Sequence, residues 1–139
     1  MMAGKIRLRL VTLNRLLLDD EVDEVTGPGA LGEFGVLPLH ISFLTLLEAG
    51  EMSYERGGER RHLAIAGGYA EVVDDVMTVL ADAAEFAGEI DVERARRAKE
   101  RAEKNLGELS REEKQAVAAE AALRRALVRL QVAGKEARK

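Results

Sequence analysis

The apolar pattern of this chain changes period once, at Ala87–Gly88, and that change limits the fold more than any other feature. From Lys5 to Phe86 apolar residues favour every second position: Ile6, Leu8 and Leu10 alternate with Arg7 and Arg9, and Met52 and Tyr54 alternate with Glu51, Ser53 and Glu55. A period of two buries one face of an extended strand and wets the other. Turn signals recur at Thr26-Gly27-Pro28-Gly29, Arg56-Gly57-Gly58-Glu59 and Asp74-Asp75. Their close spacing is that of a small antiparallel sandwich or barrel. Gly67-Gly68 has no following helix whose amides would hold an anion, so it reads as a bulge or close backbone approach rather than a phosphate loop.

After Gly88 the period is helical. Asp91 is placed to cap a helix whose first turn also carries Glu93, favourable at the positive end of the dipole. Ala95, Ala98, Ala102 and Leu106 share one face, and Gly107 is expected to stop the helix. Ser110-Arg111-Glu112-Glu113 then reads as a capping box opening a second helix, with Ala116, Ala119, Leu123, Ala126 or Leu127, and Leu130 on its seam. So short a link allows only a tight reversal. The expected fold class is therefore α+β: an antiparallel β-sandwich over residues 1–87 and an antiparallel two-helix hairpin over 88–139. A buried alanine methyl contributes about 0.8 kcal/mol against roughly 1.5–3 for a leucine side chain, so the hairpin should be weakly held although each helix has high intrinsic propensity. Such a pair suits a movable arm; a static hairpin is the alternative reading.

At 139 residues and 47% apolar, the chain can bury one modest core, with or without an appendage. The absence of cysteine removes disulfides, thiolate metal sites and a cysteine nucleophile together. No apolar run approaches the roughly 20 residues needed to span a bilayer, and no signal core opens the chain, so a cytosolic protein without direct membrane insertion is expected. The net charge of −4 conceals a division: residues 1–87 carry 7 basic and 15 acidic side chains, net −8, while residues 88–139 carry 14 and 10, net +4. Opposite blocks in one chain suit an interaction surface, or are simply solvated.

Nothing assigns a catalytic residue or a metal site. His40 and His62 are the only histidines and neither has metal-ligand spacing. No nucleophile elbow, P-loop or dinucleotide motif occurs, and the acids at Asp19-Asp20-Glu21 and Asp23-Glu24 read as solvation. A reversal near Glu108 would bring Arg94 close to Leu123 and within one turn of Arg125, with Arg101 and Arg129 extending the arrangement. Facing guanidinium groups suit an anion such as a polyphosphate. The alternative is ordinary surface arginines paired with Glu89, Glu93 and Glu120 at little net energy.

Leu31-Gly32-Glu33-Phe34-Gly35-Val36-Leu37-Pro38-Leu39-His40, then Ala64-Ile65-Ala66-Gly67-Gly68-Tyr69-Ala70-Glu71-Val72-Val73, then Val79-Leu80-Ala81-Asp82, resemble in order and spacing the ε subunit of the rotary F-type ATP synthase. The resemblance covers nearly the whole chain. It implies a central-stalk subunit of a proton-translocating enzyme, non-catalytic itself, at the cytoplasmic face of the bacterial membrane. Its partners would be the γ subunit, the c-subunit ring and, through an extended hairpin that restrains ATP hydrolysis, the α and β subunits. The family's Ile-Asp-x-x-Arg-Ala motif matches Ile90, Asp91, Arg94 and Ala95, and its further ATP-binding positions match Glu85, Arg101, Arg125 and Arg129. ATP would then be a regulatory ligand holding the hairpin folded, with no cofactor required. The family's c-ring contacts match Glu33 and His40. Leu39 stands where the family often has glycine. Two rival classes are a free-standing nucleotide sensor and a nucleic-acid-binding module using the basic hairpin. The hairpin's lack of aromatics and the acidic sandwich oppose the second, and no nucleic acid is expected.

Overall fold

The computed structural model describes residues 4–108 and 113–136 and divides the chain between Phe86 and Ala87. The first unit contains β1 (Ile6–Val11), β2 (Leu16–Val22), β3 (Glu24–Gly29), β4 (Gly32–Val36), β5 (Phe43–Leu47), β6 (Gly50–Arg56), β7 (Glu59–Ile65), β8 (Gly68–Val73), β9 (Val76–Ala81) and β10 (Ala84–Phe86). They form one hydrogen-bonded sheet in the order β10-β7-β6-β3-β5-β8-β9-β1-β2, with β4 paired to β3 off this path. The sheet folds over so that β2 meets β6. Inward residues from both arms make a single core, including the fully buried Ile6, Leu8, Leu10, Met52, Leu63, Ile65 and Met77. Each such side chain contributes about 1.5–3 kcal/mol of burial, and together they hold the sandwich.

The alternation behind the expected strands is met in β1, where Ile6, Leu8 and Leu10 are buried and Arg7 and Arg9 exposed. Pairing is antiparallel throughout except between β1 and β9, which run parallel from Arg7–Val76 to Val11–Leu80. No hairpin joins these two strands, so no tight turn dictates their relative direction. Gly57 and Gly58 take positive φ in a two-residue loop between paired Arg56 and Glu59, as expected of a tight hairpin turn. A Cβ on Gly68 would lie 2.1 Å from the Leu80 carbonyl oxygen. Close backbone approach is thus the reason for that glycine.

One expected turn is a strand. Thr26-Gly27-Pro28-Gly29 belongs to β3 and pairs with β4, and the reversal comes later, with Ala30 and Leu31 between paired Gly29 and Gly32. The small residues serve clearance instead: a Cβ on Gly27 would come 2.9 Å from the Phe34 ring, and one on Gly50 would come 2.5 Å from Pro28 Cβ.

The second unit opens with a 3₁₀ turn, Ala87–Glu89, followed by α1 (Val92–Glu108) and α2 (Glu113–Glu136), which pack on each other. Gly107 does not stop α1; it lies within the last turn, where a helical glycine costs about 1 kcal/mol relative to alanine and is tolerated. Ser110 and the start of the expected capping box lie outside the described residues. The seam is alanine: Ala95 and Ala102 on α1 and Ala119 and Ala126 on α2 are buried, joined by Val132 beyond the expected seam. Ala126 rather than Leu127 faces inward, since Leu127 is exposed.

Candidate functional site

Three surfaces carry the residues of interest. The first is the chain around β4. Glu33 is an exposed residue of β4 opposite Pro28. Past Val36 the chain bends, and the His40 amide donates to the Leu37 carbonyl at 3.1 Å. His40 Nδ1 lies 2.7 Å from the Ile41 carbonyl oxygen; since a carbonyl oxygen can only accept, Nδ1 is the donor of this bond. The imidazole packs on Phe43 at 5.1 Å, and Phe43 meets Phe34 edge-on at 5.4 Å. Aromatic pairs of this geometry are worth about 0.5–1.5 kcal/mol beyond their burial, so the ring's position is tied to the sandwich core. Leu31 before β4 and Leu37 and Ile41 after it are exposed.

Between Pro38 and His40 the backbone is left-handed: Leu39 has φ of 68°. For a non-glycine residue this costs roughly 1–2 kcal/mol. Leu39 therefore keeps the conformation that a glycine would take freely. Its amide donates to Asp75 Oδ1 at 2.6 Å. Asp74 and Asp75, the two-residue turn between β8 and β9, have φ of 48° and 61°, the conformation of the type I′ hairpin turn.

The second surface escaped the sequence reading. Leu46 on β5 faces Tyr69 on β8, which faces Leu80 on β9; in the same register Leu44 faces Glu71, and Val73 lies further along β8. Residues directly opposite share a face, and this is the outer one, with Leu44 67% and Leu46 65% exposed and Tyr69, Val73 and Leu80 partly so. The available signal was Phe43-Leu44-Thr45-Leu46-Leu47, whose outward positions are leucine where a solvated strand would carry polar residues. On β1 and β2 the same sheet turns ionic. Arg7 bonds Asp19 through Nε at 2.8 Å and Nη2 at 3.0 Å, and the guanidinium holds the Asp19 carboxyl below its ordinary range. Lys5 and the Gly57 amide do the same for Asp23.

The third surface is the hairpin. The Asp91 side chain accepts the Arg94 amide at 3.1 Å and its carbonyl accepts the Ala95 amide at 3.0 Å, so Asp91 caps α1 as expected. Ile90 and Ala95 are buried. Helix initiation and packing thus account for three of the four specified positions of the Ile-Asp-x-x-Arg-Ala motif, all but Arg94. Arg94, Arg101 and Arg125 are exposed and Arg129 half-exposed, while Glu85 belongs to β10 in the sandwich unit, opposite Ala64. With α1 ending at 108 and α2 starting at 113, Ala95 matches Ala126 and Ala102 matches Ala119 in distance from the reversal. Arg94 then matches Leu127, midway between Arg125 and Arg129. The expected match to Leu123 was displaced by the extra turn of α1 through Gly107.

A cleft of about 310 Å³ on the sandwich is lined by Leu18, Tyr54, Arg56, Glu59, Arg61 and Phe86. Its cations are already matched: Arg56 pairs with Asp20, and Arg61 lies 3.7 Å from Glu59. His62 Nδ1 lies 2.6 Å from Glu51, and among the described residues no group of three or more His, Asp or Glu side chains could share a metal ion. None of the described helices is long and apolar enough to cross a membrane.

Comparison with known proteins adds two family matches. Residues 5–87 match the β-sandwich domain of the ATP synthase delta/epsilon chain, and residues 89–134 match the long α-helix domain of the same chain. An ATP synthase epsilon chain of Geobacter metallireducens is 55% identical over 138 residues, spanning 99% of this chain and 100% of that protein. Among solved structures, a chain of the Euglena gracilis mitochondrial ATP synthase, seen with OSCP, F1 and the c-ring, superposes with a TM-score of 0.80 at 27% identity, covering 100% of this chain and 84% of that one. A chain from the Tetrahymena thermophila mitochondrial ATP synthase central stalk and c-ring shares the fold, with a TM-score of 0.66 at 14% identity.

Proposed function

The chain belongs to the ATP synthase delta/epsilon family and is an epsilon-type subunit of the central stalk, and from that premise we propose how its three surfaces divide the work. The outer face of Leu44, Leu46, Tyr69, Val73 and Leu80 docks the γ subunit, the end carrying Glu33 and His40 meets the c-ring, and the hairpin governs hydrolysis in the catalytic head. The subunit performs no chemistry itself. It couples rotation of the ring to synthesis at the cytoplasmic face of the bacterial membrane.

The observation that carries this reading is the exposed apolar face joined, through β5, to the His40 turn. Apolar side chains left in water at two-thirds exposure on paired strands mark a protein contact. Two such contacts on one rigid sheet transmit torque, because a packed core does not deform continuously between them. The regulatory part rests on different support: the alanine seam, whose contacts are individually small, and the arginines Arg94 and Arg101 of α1 and Arg125 and Arg129 of α2.

For ATP, Arg94, Arg101, Arg125 and Arg129 are the phosphate-binding candidates, since guanidinium forks suit phosphate oxygens. Glu85, Ile90, Asp91 and Ala95 complete the proposed set. A nucleotide that binds the folded hairpin at 100 times its dissociation constant adds about 2.7 kcal/mol to that state, comparable to a few seam contacts.

The test is reconstituted ATP synthase carrying Glu33→Ala with His40→Ala, assayed for protons pumped per ATP hydrolysed. Pumping should fall while hydrolysis persists; unchanged coupling removes this end from the interface. Calorimetry of the full chain with millimolar ATP tests the regulatory part. Arg94→Ala and Arg125→Ala should each weaken binding at least tenfold, and absence of heat in the unaltered chain rejects the nucleotide switch.

A further inference from the structure

The geometry points to Asp75 as a positioning residue that latches the Pro38-Leu39-His40 turn to the β8–β9 hairpin and so sets where His40 is presented. This rests on the reading of the Glu33 and His40 end as a c-ring contact. Asp75 lies 36 residues from Leu39, yet its Oδ1 accepts the Leu39 amide at 2.6 Å. Its backbone carbonyl accepts the Arg7 amide at 2.9 Å, so the residue is itself fixed to β1. One aspartate therefore joins the turn both to the β8–β9 hairpin and to β1.

The need for a latch follows from Leu39. A leucine at φ of 68° is held in a sparsely populated conformation, which persists only where the surroundings over-determine it. Burial does not supply that force, since the Leu39 side chain is 84% exposed. The local Leu37–His40 hydrogen bond closes the turn but does not attach it to another hairpin. A carboxylate accepting a backbone amide makes a stronger bond than a neutral pair, and it grips the residue that carries the strain. His40 follows directly, with its ring placed on Phe43. The turn's orientation is thereby shared between an aromatic contact on one side and the Asp75 carboxylate on the other.

Substitutions can separate the latch from the Asp75 turn itself. Asp75→Gly keeps the freedom for a φ of 61° and deletes the acceptor, whereas Asp75→Asn keeps an oxygen at the same place. Leu39→Gly removes the demand for the latch and vacates no buried space. In the full chain, hydrogen exchange at the Leu39 amide should accelerate at least tenfold in Asp75→Gly and change less than threefold in Asp75→Asn. In reconstituted ATP synthase, Asp75→Gly should lower protons pumped per ATP by at least half, and adding Leu39→Gly should restore most of the loss. Unchanged Leu39 exchange in Asp75→Gly overturns the latch whatever the coupling does. Accelerated exchange with full coupling overturns its positioning role, provided Glu33→Ala with His40→Ala does uncouple. If that double variant also couples fully, the reading of this end as the ring contact fails instead, and with it the role of Asp75 in coupling.

Discussion

The sandwich and the hairpin are built from the same alphabet at different side-chain sizes. The sandwich buries Ile6, Leu8, Leu10, Met52, Leu63, Ile65 and Met77, while the hairpin closes on Ala95, Ala102, Ala119 and Ala126. Large side chains convert chain length into a core that opens only as a whole. Alanines let two helices approach closely but give each contact little area, so helix formation and helix pairing become nearly separate events. The two interiors thus differ in side-chain volume rather than in polarity, since both are apolar.

A deletion in the sandwich core should have the largest effect. Leu8→Ala should destabilise the sandwich by about 2–5 kcal/mol, read as a large fall in the denaturant midpoint of strand signals, with the helical signal much less affected. A loss below about 1 kcal/mol would show that the sandwich is not held by its core.

Overfilling the seam comes next. Ala102→Leu adds volume where a close alanine contact leaves little, and such insertions cost about 1–3 kcal/mol. Amide exchange along α1 and α2 should accelerate while β1 and β9 keep their protection. Slower exchange in the helices would mean that the seam has room and that the hairpin is not the weak element.

The smallest effect concerns acid. Asp19 and Asp23 are held below their ordinary range by Arg7 and Lys5, so they stabilise the fold above the unfolded value of about 3.9, and that stabilisation is lost as pH falls through the lower folded values. The slope of stability against pH below about 4 should flatten in Asp19→Asn. An unaltered slope would assign the acid sensitivity to other carboxylates.

Elements whose physics is local were readable before the fold was known. The alternation in β1, the paired glycines at 57 and 58, the Asp91 cap and the alanine stripe each depend on neighbours within a turn or a pleat. Misreadings arose where a partner distant in sequence decides. Gly27 and Gly29 look like turn residues until Phe34 is found beside them. Gly107 looks like a stop, but a helix already extended through its other contacts carries it. The parallel pairing of β1 with β9 has no local cue at all. At the site, the arginines were brought together by the expected hairpin reversal and then matched by family resemblance, Glu33 and His40 took their role from the resemblance, and the Leu44, Leu46 and Tyr69 face needed the register. Asp75 was visible only as a turn residue, because its partner Leu39 lies in another hairpin.

The pairing of β1 between β2 and β9 also governs the order in which the protein can be made. β1, the first of the described strands in chain order, occupies an interior position in the sheet, and one of its two neighbours is not synthesised until residues 76–81. Until then Leu8 and Leu10 have only half their final surroundings, and the nascent chain must carry that apolar strand through most of the sandwich's synthesis. Contacts of such long sequence separation slow folding, because the entropy of closing the loop is lost before the contact rewards it. The last sandwich strand is made just before the hairpin, so closure of the sandwich waits on residues that come late in the chain.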